Sequence, residues 1–201
     1  MSLFTFKKTT KIGVYGFTLV ELMVTITIVV LVTGIVLLQY SAFNSSVLLT
    51  SQAYKTAFDL REAQSLAVSV RGQEGRFQYD YGLYFDADLP NEYILFQNTY
   101  TGPGEAVPAY TKGQDLVVGP SLFTDPRFHI TDICTTASGN ESCNRNSVTV
   151  TFKRPDFEAQ FRSGTSNATN VINARIIFSP ITDDTKERSV RISSTGQISV
   201  D

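Results

Sequence analysis

Residues 15–30 read "YGFTLVELMVTITIVV", and the run stays apolar as far as Leu38, with Glu21 its only charge from Phe17 onward. About 22 residues of this kind, wound as a helix rising about 1.5 Å per residue, reach across a hydrocarbon core of roughly 30 Å. The stretch therefore predicts one membrane span. Lys7, Lys8 and Lys11 precede it. Basic residues are retained on the cytoplasmic side, so the N-terminus is expected in the cytoplasm and the remainder outside. After the span, "SAFNSSVLL" offers no Ala-x-Ala pattern for a signal peptidase. A carboxylate within a bilayer is unfavourable by roughly 2.5–3.5 kcal/mol on insertion scales, so Glu21 requires a reason.

Beyond the span the helical spacing continues. In "SQAYKTAFDLREAQSLAVSVRG" (51–72), Ala53, Ala57, Leu60, Gln64, Ala67 and Val70 recur three and four apart, while Lys55, Asp59, Arg61 and Glu62 fall mainly elsewhere around the helix. Gly72 supplies a stop. One helix over 17–71 is expected, its first half in the membrane and its second laying small side chains against a sheet. Downstream, β-type runs broken by Gly, Pro, Asn and Asp predict strands at 77–86, 93–98, 116–118, 148–153, 173–179, 188–193 and 197–200, with a tight turn at Thr195-Gly196. The fold class is α+β, with an antiparallel sheet in one head. The segment 99–146 shows little pattern and is expected at the surface.

Of 201 residues, about 150 lie beyond the leader and span, enough for one domain. The formal net charge of −2 carries no global basic excess, so a nucleic-acid partner would need a local patch. The two cysteines, Cys134 and Cys143, bracket the turn-like "CTTASGNESC"; in an exported chain they read as a disulfide clipping a short loop.

The basic leader ends at Gly16, and Glu21 is the fifth residue counted from Phe17. "GFTLVE" (16–21) resembles the processing motif of type IV prepilins and type II secretion pseudopilins. The helix "FDLREAQSLAVSVRG", the pair "YGLYFD…YILFQ" and the C-terminal "VTFKRP…ARIIFS…RSVRISSTGQISV" are most similar to H-type minor pseudopilins and FimT-class minor pilins. The resemblance implies a pilin-like fold divided into a leader (1–16), a transmembrane or filament-core half-helix (17–43) and a globular head (44–201). It also implies cleavage after Gly16 by a membrane prepilin peptidase and N-methylation of Phe17. Glu21 would set assembly register by pairing with the new amine of a neighbouring subunit, a role of specification more than net stability. The implied partners are other pilin or pseudopilin subunits and an inner-membrane assembly platform. The implied location is the cytoplasmic (inner) membrane, single-pass, and then the pilus or pseudopilus. The function so read is that of a structural, minor subunit; a major pilin and a DNA-binding minor pilin for DNA uptake are the alternatives.

Enzymatic chemistry finds little material. His129 is the one histidine, so a Ser-His-Asp arrangement would have to use it, and no Gly-rich phosphate loop occurs. No cofactor and no metal are expected. Asp86 and Asp88, close to Asn91 and Glu92 in "FDADLPNEY", offer oxygen ligands of the calcium type, but the residue types equally mark a turn. Arg188 and Arg191, near Arg175 and Lys186, are the DNA-binding candidates, yet Asp183, Asp184 and Glu187 interrupt them and Gly196-Gln197-Ile198-Ser199 stands where that class carries Gly-Arg-x-Arg.

Overall fold

The computed structural model describes residues 16–69, 79–99, 108–120, 122–152, 157–164 and 171–201. The chain is α+β, with an N-terminal apolar helix followed by antiparallel sheets. Helix α1 runs Leu19–Val68, and the chain divides into two units between Phe43 and Asn44.

In the first unit the apolar stretch Leu19–Leu37 has a mean hydropathy of 2.6, and none of it is buried. Length and composition suit a membrane span, although a signal sequence has the same properties. Its start is locally encoded. The Glu21 amide donates to Thr18 Oγ1 at 3.2 Å, which is the Thr-x-x-Glu relation of a capping box. Glu21 also places negative charge in the first turn, where the helix dipole favours it. Thr25 and Thr27 donate their hydroxyls back to the Leu22 and Met23 carbonyls, so neither polar group needs water.

The second unit holds two sheets. One is ordered β3-β2-β1-β7-β8, with β4 also pairing β2; the other is ordered β11-β10-β9-β5-β6. The strands are β1 Asp80–Asp86, β2 Glu92–Asn98, β3 Leu116–Val117, β4 Leu122–Phe123, β5 Phe128–Ala137, β6 Asn140–Ser142, β7 Ser147–Phe152, β8 Ala159–Ser163, β9 Val171–Pro180, β10 Arg188–Ser193 and β11 Ile198–Val200. Every pairing is antiparallel.

Residues of α1 and both sheets share one core. Leu49, Ala53, Ala57, Leu60, Ala63 and Ala67 are buried with Leu83, Phe85, Val150, Ile176, Phe178, Val190 and Ile192. The alanines keep this face of α1 small, which allows close approach to the strands. Gly82 has the same function between strands, since a Cβ there would run into the Val150 carbonyl and the Phe96 ring. The far face of the six-stranded sheet is covered by Pro108–Tyr110: Tyr110 lies 5.1 Å from Tyr84 and 5.3 Å from Phe96, ring centre to ring centre.

Three expectations are corrected. The head has two sheets, not one. Segment 99–146 is not simply a surface loop: β5 inserts between β6 and β9, and Phe128, Ile130 and Ile133 are buried. Its alternation is hidden by a register shift between Ile130 and Asp132, which makes Thr131 an extra residue and changes the inward spacing from two to three. The strands β4, β6 and β8 are short and lack a run long enough to register as period two. Asp59, read as off the packed stripe, is buried, because Tyr93 donates to it at 2.6 Å. The expected stop at Gly72, Val70 of the stripe and the start of the first strand lie outside the described residues.

Candidate functional site

Two regions carry the residues singled out above. At the N-terminus, Gly16, Phe17 and Thr18 form an extended approach to α1, and Phe17 is 77% exposed. Glu21 lies three residues inside the cap set by Thr18, with its side chain exposed. This brings an accessible junction, a capped helix start and a carboxylate within one turn of each other.

The second region is the outer face of the five-stranded sheet. Cross-strand register aligns Cys134 with Arg175, Arg175 with Arg191, and Arg191 with Ser199. Two arginines opposite each other repel. Each is held by an acid at its own side: Arg175 makes a paired contact with Glu141, Nε to Oε1 at 2.9 Å and Nη2 to Oε2 at 2.7 Å, while Arg191 Nε meets Asp201 Oδ2 at 3.1 Å. Lys186 meets Asp183 at 3.3 Å. Arg188 and Arg191 are three positions apart on a strand of unbroken register, so their side chains leave opposite faces of β10. They do not make one patch together.

The cysteines are bonded, Cys134 to Cys143. They flank the β5–β6 hairpin, whose two-residue turn Ser138-Gly139 has φ of 51° and 85°. Positive φ at both positions is the hairpin turn whose twist matches the strands. Next to the bond, Arg175 Nη2 donates to Cys134 Sγ at 3.8 Å. Asp132 Oδ1 accepts from the Ile133 and Asn144 amides, each at 2.7 Å. Asp132, Cys134 and Cys143 have ligand atoms within 4.8 Å of one another, but the disulfide removes both thiolates from metal chemistry.

The remaining candidates make the following local contacts. Asp86 Oδ2 accepts from Tyr84 at 2.8 Å and Asp86 Oδ1 from the Asp88 amide at 3.0 Å, the arrangement of a turn. Burial, followed by the bond to Asp86, pushes the Tyr84 phenol up to about 12. His129 Nε2 lies 3.8 Å from Asp184 Oδ1, and Ser179 is its cross-strand partner. Ser179 Oγ is wholly buried, so a substrate carbonyl has no approach to it.

Sequence reading missed Glu141, Asp201, Asp59 and Tyr93. Glu141 was the most accessible of them: it sits two residues before Cys143 in a hairpin whose turn is legible as Ser-Gly.

No family model, curated protein or solved structure matches the chain.

Proposed function

We propose that this protein is a pilin-like structural subunit of a type IV pilus or type II secretion pseudopilus, and a minor one. The observation that carries the reading is the start of α1. An exposed Gly16-Phe17 junction leads within one turn to a capped helix bearing Glu21, followed by an exposed apolar stretch to Leu37. A lipid-soluble helix with one acid at its fifth residue from a cleavable junction suits a subunit that leaves the membrane by packing with its own kind. In that assembly Glu21 pairs with the amine freed at Phe17, and the apolar surface exchanges lipid for neighbouring helices. Prepilin peptidase, other subunits and an inner-membrane platform are the partners that follow. The length of the segment between β2 and β7 supports a minor subunit over a major one.

DNA uptake draws no comparable support. Arg175, Arg191 and Lys186 each face a carboxylate, and Arg188 points away from Arg191.

The test is intact mass and N-terminal sequencing of the membrane-extracted chain, with and without prepilin peptidase. A mature chain that begins at methylated Phe17 only when the peptidase is present supports the proposal. A chain still beginning near Met1 in both preparations overturns it and leaves a membrane-anchored head.

A further inference from the structure

The disulfide at the β5–β6 hairpin is not symmetric in its surroundings. Cys134 is completely buried and Cys143 is partly exposed. Arg175 Nη2 approaches Cys134 Sγ at 3.8 Å, and the same nitrogen holds Glu141 Oε2 at 2.7 Å, one N–H for each acceptor. From these contacts we infer that Cys143 is a site of mixed-disulfide formation, the sulfur through which this protein exchanges with an external thiol, and that Cys134 is the sulfur that leaves.

The chemistry balances as a displacement. An incoming thiolate forms a bond to Cys143 Sγ, the Cys134–Cys143 bond breaks, and its electron pair goes to Cys134 Sγ as thiolate. A second thiolate of the reductant then bonds to the incoming sulfur, the bond from that sulfur to Cys143 breaks and Cys143 leaves as a thiol, so that two reductant thiols are oxidised to one disulfide as the bond in this chain is reduced. Exchange is faster when the leaving thiol is the better-stabilised thiolate. The Arg175 guanidinium supplies that stabilisation at Cys134.

Two acids oppose it, and both are engaged. Glu141 takes Nε and one N–H of Nη2, leaving the other for sulfur. The Asp132 carboxylate lies within 4.8 Å of the sulfurs, but its Oδ1 is held by two backbone amides. Arg191, opposite Arg175 on β10, adds positive charge but is paired with Asp201. Run backwards, the geometry has Cys134 thiolate attacking the mixed disulfide on Cys143, which closes the hairpin during oxidation.

The experiment uses the full chain in detergent with reduced glutathione as the thiol. Aliquots are quenched with a maleimide, the modified residues are mapped by mass spectrometry, and the rate of disulfide loss is followed. Glutathione is expected on Cys143 and maleimide on Cys134 in the mixed species. Arg175→Gln is expected to slow the reaction about threefold or more, through a poorer leaving group, and Glu141→Gln to accelerate it. Arg191→Gln should leave the rate unchanged. A hairpin staple with no directed chemistry would respond to the loss of either clamp partner by opening faster. Acceleration or no change in Arg175→Gln therefore overturns the inference. So does glutathione found on Cys134, or equally on both, in the unsubstituted chain, a result that depends on no variant folding.

Discussion

Tyr93 on β2 donates a 2.6 Å hydrogen bond to the buried carboxylate of Asp59 on α1, and Thr56 reaches the same phenol oxygen at 3.4 Å. This is a polar bond inside an apolar seam between helix and sheet. Its value lies less in its net strength than in what its loss would leave behind.

Tyr93→Phe keeps the ring, which stacks 5.2 Å from Phe85, and removes only the donor. Asp59 then stays buried without it, and urea unfolding should show a loss of about 1–3 kcal/mol. Tyr93→Phe combined with Asp59→Ala should be destabilised by less than the sum of the two single changes, because the second removes the orphan left by the first.

Gly196 turns β10 into β11 with φ of +80°, and a Cβ there would strike the Phe157 carbonyl and the Gln64 amide. Gln64 Nε2 donates to both Phe157 O and Gly196 O, at 3.0 and 3.2 Å, tying the turn to α1. Gly139 has a similar φ of +85° but open space around it. Thermal unfolding should therefore rank Gly196→Ala as the more damaging change, by about 1–3 kcal/mol beyond the roughly 1 kcal/mol of backbone strain common to both.

Replacing both cysteines by serine opens a loop whose ends are nine positions apart. Loop-closure entropy predicts a loss of about 2.5–3 kcal/mol, read as a lower urea midpoint relative to the oxidised chain. The far-UV spectrum should be retained, because Ser138-Gly139 turns the hairpin without the bond.

Arg127 donates to both oxygens of Asp125, at 2.8 and 2.6 Å, and this bond first of all holds the carboxyl down at about 2. A lowered folded value means that the stabilisation is complete above the unfolded value of about 3.9 and disappears as pH falls from there through about 2. Arg127→Gln should flatten that part of the acid unfolding curve. The Asp125 amide donates to Gln52 Oε1 at 3.0 Å, so protection of this loop against hydrogen exchange should fall in parallel.

Elements with strong local signals were legible in advance. The Ala53, Ala57, Leu60 and Ala67 stripe is buried as its spacing indicated, and β10 spans Arg188–Ser193 as read. β5 was not legible, because the extra residue Thr131 shifts its inward positions from Phe128 and Ile130 to Ile133. Spacing could not show that Arg175 is held by Glu141, since that depends on which strands pair with β9 and β5. Turn chemistry marked the 134–143 loop, but the environment of each sulfur depends on Arg175, a residue more than thirty positions away.

The sequence by itself determined the apolar helix, the carboxylate near its start, the α+β class and the cysteine clip, because each is written in the composition or period of neighbouring residues. Tertiary structure alone decided the split into two sheets, the burial of Asp59 under Tyr93, the pairing of Arg175 with Glu141 and the asymmetry of the disulfide. These arise from contacts between residues far apart in the chain, and such contacts leave no local period to read.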